Sequence, residues 1–131
     1  MNSQDQRTEL EKLELLVREH ESKCDFQTAR KFQVRLLELK ENDSACNAGD
    51  LGDTFHQLAI LTLKTGDPEE AVTYLVKALG LRRIFFGKGH PKVVETMDLV
   101  KEIRTTAAKN DTTPKKVDRR RAEYRRAQKS N

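Results

Sequence analysis

Two cysteines and three histidines are the side chains in this sequence best suited to metal binding or nucleophilic chemistry. Cys24 and Cys46 are far apart in the sequence, with no Cys-x-x-Cys pair and no histidine at zinc-binding spacing. This pattern predicts two free thiols rather than a disulfide or a metal site. His90 directly precedes a proline and is expected to cap or pack a helix start, because no second ligand stands at helical spacing from it.

The short motifs through which common enzymes hold phosphate or activate a nucleophile do not occur in this sequence. The patterns GxxxxGK(S/T), GxSxG, HExxH and GxGxxG are all missing, and Gly87-Lys88-Gly89 is too short to cradle a phosphate. We therefore predict a protein that is not an enzyme and that needs no cofactor or metal.

The composition favours a small all-α protein. The chain has 131 residues, enough for one domain, and its 6 glycines and 3 prolines are too few for a turn-rich all-β fold. The longest near-apolar stretch, residues 58–63, is far shorter than a membrane span, and the polar N-terminus has no signal-peptide core. We expect a soluble cytoplasmic protein with no membrane span.

The charge divides the chain into two parts. Residues 109–131 carry nine basic and three acidic side chains, a formal charge of +6, whereas residues 1–108 carry −2. Residues 109–114 are polar and end at a proline, so they are predicted to be a linker between a domain at 1–108 and a basic tail. The tail is interpreted as a nuclear-import address, a contact for RNA or another polyanion, or a helical extension. Its basic residues are Lys115, Lys116, Arg119, Arg120, Arg121, Arg125 and Arg126.

Apolar residues recur with a helical period in five segments of the predicted domain. The predicted helices span about residues 8–21, 25–40, 53–65, 67–86 and 90–107. Asp25 and Asp67 are expected to be N-caps, with Pro68 at a first helical position. Gly66 is expected to end the third helix in the left-handed conformation.

The first and second helix pairs align with each other at an offset of about 42 residues, a length typical of repeat units. Under this shift Asp25 falls on Asp67, Ala29 on Ala71 and Thr54 on Thr96. An array with two helices per unit is typical of a solenoid, in which stacking of neighbouring units buries their apolar faces. The predicted repeats cover about residues 8–49 and 50–91, followed by a half repeat at 92–108.

The second repeat resembles the tetratricopeptide repeat. The resemblance is carried by the turn at residues 66–71 and by the small residues Ala59, Ala71 and Ala78. The longer unit, and the segment from residue 78 to 97 with its Gly87-Lys88-Gly89-His90-Pro91 linker, is similar to the kinesin light chain type. In the first repeat, Cys24 stands at the position of Gly66.

This resemblance implies an all-α solenoid of helical hairpins, with no catalysis and with a concave groove that binds peptide segments of other proteins. His56 is then expected on the groove face, where it meets either a partner or solvent. Seven carboxylates against Arg18 and Lys64 suggest a groove that prefers a basic or basic-apolar peptide. The positions that match groove-facing ones are Glu11, Glu14, Arg18, Glu21, Asp53, His56, Ile60, Lys64, Glu95, Asp98 and Glu102.

The function predicted from these observations is a non-catalytic scaffold or adaptor that binds a protein or peptide partner. The alternative is an adaptor whose basic tail tethers a partner to RNA or another polyanion. Homodimerisation is a further expectation, because about three repeats are normally needed for a stable array. The tail could also occupy the groove of opposite charge, since tethering raises its effective concentration.

Overall fold

The computed structural model describes residues 3–110, which form five α-helices and no strand. The prediction of an all-α chain with five helices is confirmed for these residues. The basic residues predicted in the tail lie outside this part of the chain. Within residues 3–110, no helix is long and apolar enough to cross a membrane. The helices are α1 (Ser3–Ser22), α2 (Phe26–Glu41), α3 (Ala48–Lys64), α4 (Pro68–Phe86) and α5 (Pro91–Asn110).

The helices pack as neighbours along the chain, α1 against α2, α2 against α3 and α3 against α4. One compact unit extends to Lys101, and a second begins at Glu102, within α5. Helix α5 continues through Lys109 and Asn110, so the first part of the predicted linker is helical.

Helix α3 begins at Ala48, earlier than the predicted start at Asp53. Its N-cap is Asn47, whose side-chain oxygen accepts a hydrogen bond of 2.8 Å from the backbone N–H of Asp50. Asparagine is a favoured N-cap because its side chain satisfies a backbone donor that has no partner inside the helix. The loop between α2 and α3 is correspondingly shorter than expected.

Two glycines in the first turns of α3 account for this missed start. Glycine is a poor helix former, so Gly49 and Gly52 hide the helix from pattern analysis. A Cβ atom at Gly49 would overlap the ring of Phe85, and one at Gly52 would lie 2.9 Å from Cγ of Arg82. Without a Cβ atom at either position, α3 and the side chains of α4 approach each other closely here.

The starts of α2 and α4 differ in how their aspartates are used. The Asp25 carboxylate accepts a hydrogen bond of 3.3 Å from the Thr28 N–H, as predicted for an N-cap. Asp67 occupies the N-cap position of α4, as predicted, but its side chain makes no cap bond. Its carboxylate instead accepts a 2.8 Å bond from Arg30 of α2, which also donates to Glu70 at 2.6 Å. A guanidinium fork is a stronger donor to a carboxylate than a neutral backbone amide.

The turns that close the two hairpins are the same motif, at positions that the repeat alignment pairs. Each has a residue in the left-handed region, Cys24 with φ 58° and Gly66 with φ 91°. Each also has the two backbone bonds of a Schellman motif. In the first hairpin these are Cys24 N–H to Glu21 O (2.9 Å) and Asp25 N–H to His20 O (2.8 Å), and in the second Gly66 N–H to Leu63 O (3.1 Å) and Asp67 N–H to Thr62 O (3.1 Å).

Replacing Cys24 by glycine is expected to raise the free energy of unfolding by about 1 kcal/mol, because a residue with a Cβ atom is strained in this conformation. The thiol is exposed and free, so the substitution removes no buried contact. Urea denaturation of Cys24→Gly, followed by far-ultraviolet circular dichroism, measures the change.

The matched variant is Gly66→Ala, which places a Cβ at the equivalent position of the second turn. Nothing lies within 4 Å of a Cβ at Gly66, so its destabilisation reports backbone strain without a steric clash. If Cys24→Gly were neutral or destabilising while Gly66→Ala destabilised, strain at Cys24 would be ruled out.

The core holds the two hairpins together through residues of three successive helices. One cluster contains Leu37 of α2, Phe55 and Leu58 of α3 and Ala78 of α4. A second joins Val17, Ala29 and Leu61 of α1, α2 and α3. Because both clusters include residues of α2 and α3, neither hairpin buries its apolar face alone.

Candidate functional site

A solvent-exposed groove lies between α1, α2 and α3, with a volume of about 360 Å³. Four of the predicted groove residues line it: Glu14, Arg18, Glu21 and Asp53. The structure therefore brings together part of the predicted set, drawn from the first helices of the two hairpins. The predicted residues Glu11, Ile60, Lys64, Glu95, Asp98 and Glu102 are not among those that line it.

The floor of the groove is apolar and held by a buried amide. Val17 of α1 and Leu36 of α2 are both buried. Between them and α3, the Gln33 side chain donates a 3.2 Å hydrogen bond to the backbone oxygen of Thr54. A buried amide that is satisfied in this way costs little and fixes α2 against α3. The groove is thus a preformed feature of the helix packing.

Lys40 of α2 forms one wall of the groove, and the sequence analysis did not find it. Its Nζ atom donates to Asp50 and to the hydroxyl of Thr54, both at 3.0 Å, and lies 3.9 Å from Glu14. Only 11% of the side chain is exposed. The resemblance placed the groove on the first helix of each pair, whereas Lys40 reaches the groove from the end of a second helix.

Asp53 lines the groove but is already bound to two cations. Arg82 donates from Nε (3.1 Å) and Nη2 (2.9 Å) to one carboxylate oxygen, and Lys92 donates to the other at 2.9 Å. Burial alone would raise the pKa of Asp53, but the hydrogen bonds from Lys92 and Arg82 outweigh it and hold the pKa below its usual value.

His56 is buried, contrary to the expectation that it faces a groove partner or solvent; only 4% of it is exposed. Its Nε2 atom lies 3.0 Å from a Glu95 carboxylate oxygen. Its Nδ1 atom lies 3.2 Å from Arg82 Nη1 and 3.2 Å from the hydroxyl of Thr96. Because Arg82 can only donate, we assign the proton of the neutral ring to Nε2, where it bonds to Glu95.

The surroundings of His56 favour its neutral form. Burial and the positive charge of Arg82 lower the pKa, and the carboxylates of Glu95 and Asp53 offset only part of this effect. Lys92, the other charged group of this cluster, reaches Asp53 from α5. Protonation of Nδ1 would place a positively charged imidazolium next to the buried guanidinium of Arg82.

Stability is expected to fall as the pH drops below about 6.5, the ordinary pKa of histidine. The unfolded chain binds the His56 proton at a higher pH than the folded protein does. Its contribution is therefore complete above that pH and is lost as the pH falls through the folded pKa. Urea unfolding at pH 7.5 and pH 5.5 measures the loss in the wild type and in His56→Gln, and an equal loss in both would show that His56 is not responsible.

Lys40 of α2 and Arg82 of α4 each contact a threonine of the next helix, and we call these two contacts the helix junctions. They occupy equivalent positions, since the repeat alignment pairs Lys40 with Arg82. Lys40 donates to Thr54 at 3.0 Å, and Arg82 donates to Thr96 at 2.8 Å. Each threonine hydroxyl also donates to a backbone oxygen four residues before it. The alignment had already paired the two threonines. A lysine or arginine at the same distance before each threonine was the signal that could have revealed the junctions.

The remaining candidates for chemistry have structural roles or none. His90 Nδ1 accepts a 3.1 Å bond from the Lys92 N–H, and its ring stacks on Phe86, which confirms the prediction that it caps and packs a helix start. Burial raises the pKa of Cys46 to about 11, so this thiol stays protonated at neutral pH. In the described part of the chain, no three His, Cys, Asp or Glu residues are grouped to hold a metal ion.

No protein-family model matches this chain, and no curated protein matches it. The similarity to tetratricopeptide repeats stays a prediction that depends on the residues quoted for it.

Proposed function

We propose that this protein is a non-catalytic interaction module that binds a peptide segment of a partner protein in the groove between α1, α2 and α3. The observation that carries the proposal is the groove itself, about 360 Å³ in volume, with a buried apolar floor and polar walls. Concave sites of this kind, with a few fixed polar groups around an apolar base, are where proteins bind ligands.

The charge of the groove favours a basic ligand. Four carboxylates line it, those of Glu14, Glu21, Asp50 and Asp53, against the two cations of Arg18 and Lys40. A peptide with basic side chains complements this excess, and complementary charge guides both the association and the choice of partner. We propose a basic or basic-apolar segment as the ligand class.

The resemblance to tetratricopeptide repeats of the kinesin light chain type supports the same function, and an adaptor role is part of the proposal. The shared turn of the two hairpins and the equivalent junctions of Lys40 and Arg82 are compatible with a repeat. RNA binding through the tail stays a prediction, since its basic residues lie beyond Asn110.

A competition experiment with the full chain tests the proposal. Fluorescent basic-apolar peptides are titrated and then displaced by unlabelled basic or acidic peptides of equal length. We expect basic peptides to displace the probe more strongly. Gln57→Trp, which fills the groove, is expected to abolish binding, whereas Gln27→Trp on the exposed part of α2 is expected to leave it unchanged. Stronger displacement by acidic peptides would contradict the proposed ligand class.

A further inference from the structure

The charges of the groove are not equally available to a ligand. Asp53 already binds Arg82 and Lys92, and Asp50 already binds Lys40 at 3.0 Å. A carboxylate already paired with a cation of its own protein attracts a ligand cation less, because that nearby cation repels the ligand's charge. Two of the four groove carboxylates are thus already paired with cations of the protein itself.

Helix α1 carries the groove charges that remain available. Glu21 accepts a 2.7 Å bond from Gln57, a neutral donor, so it keeps its negative charge. Glu14 is 3.9 Å from Lys40, whose two shorter bonds go to other residues. Arg18 is exposed and makes no ion pair within the described residues. The groove side of α1 therefore presents a negative, a positive and a negative group in succession.

The spacing of these groups suits an extended chain. Residues 14, 18 and 21 lie on one helix face, roughly 6 Å and roughly 4.5 Å apart along the axis. In an extended peptide every second side chain points to the same side, at intervals of about 6.6 Å. Long side chains cover the small difference between the two spacings.

We infer that the groove selects an extended peptide in which a basic, an acidic and a basic residue occupy alternate positions. This inference depends on the proposed peptide-binding function and adds the pattern that the ligand must carry. The two basic side chains pair with Glu14 and Glu21, and the acidic side chain between them pairs with Arg18. The residues between these positions point to the other side of the peptide.

This chain contains the same pattern twice in its own sequence. Lys116, Asp118 and Arg120 form one copy, and Arg121, Glu123 and Arg125 form the next, both outside the described residues. A test on the full chain therefore compares two peptides with the same protein, because competition by its own residues lowers both affinities by the same factor. The ratio of the two affinities is then the measured quantity.

The test uses two labelled peptides, Gly-Lys-Val-Glu-Val-Lys-Gly and the same peptide with lysine at the centre, both with blocked ends. Wild-type protein is expected to bind the glutamate-centred peptide about 3-fold more tightly, the effect of one exposed ion pair. Arg18→Glu is expected to reverse the preference, and Arg104→Glu, an exposed arginine of α5, is expected to preserve it. The double variant Glu14→Gln/Glu21→Gln is expected to weaken binding of the glutamate-centred peptide about 10-fold.

The outcomes separate this inference from the proposed function. Should Gln57→Trp abolish binding while Arg18→Glu leaves the preference at the central position unchanged, the groove binds peptides but the pattern is wrong. Should Gln57→Trp leave binding of both peptides unchanged, the proposed groove function fails as well. Reversal by Arg18→Glu supports both.

Discussion

Replacing Arg82 by methionine is expected to lower the free energy of unfolding by about 3 kcal/mol, the low end of the cost of breaking a buried ion pair. Arg82 is 4% exposed and donates to Asp53, Thr96 and the backbone oxygen of Lys92. Methionine replaces the apolar stem of arginine but donates no hydrogen bond. The variant therefore leaves these acceptors without their donor and removes the hydrogen bonds through which Arg82 of α4 joins α3 and α5.

Urea unfolding at pH 7.5 measures this effect, with Arg83→Met as the control. Arg83 is the next residue but is exposed, and its side chain makes a weak 3.8 Å contact with the Met97 sulfur. Its replacement is expected to change stability by less than about 0.5 kcal/mol. Equal effects of the two substitutions would show that the buried hydrogen bonds of Arg82 do not stabilise the fold.

Truncation of Leu58 to alanine is expected to cost about 3 kcal/mol, because it leaves a cavity in a site with no exposed surface. Leu58 of α3 is fully buried in the cluster with Leu37, Phe55 and Ala78. These neighbours come from three helices, so the loss weakens packing within the second hairpin and between the two hairpins.

The control for this variant is Leu15→Ala, which removes the same atoms from a side chain of α1 that is 64% exposed. We expect a change below about 0.5 kcal/mol for Leu15→Ala. Thermal unfolding followed by circular dichroism compares the two variants. A loss below about 1 kcal/mol for Leu58→Ala would mean that the three helices repack around the missing atoms.

Local signals in the sequence were sufficient for most of the helices. The Asp25 cap and the apolar period placed α2 close to its observed bounds, Gly66 placed the end of α3, and Pro68 placed the start of α4. These features act within a single turn of helix, so the residues involved are close in the sequence. The start of α3 was missed because its two glycines are explained only by the approach of α4.

The candidate site was also predicted only in part. The resemblance implied that Glu14, Arg18 and Glu21 face a groove, and these residues do line the groove. His56 has the spacing of a groove residue, yet it is buried, because α4 and α5 bring Arg82 and Glu95 to its two ring nitrogens. Helical period gives the direction of a side chain but not the neighbour that covers it.

The amino-acid sequence was thus enough to predict the five helices of the described residues, the Asp25 cap and the left-handed turn at Gly66, since each depends on patterns that are local in the chain. The tertiary structure alone decided which charges stay available in the groove. Asp50 and Asp53 are paired by Lys40, Arg82 and Lys92, and the last two are distant from Asp53 in the sequence. Pairing of charges depends on distances of roughly 3–4 Å in space, and separation along the chain does not predict those distances.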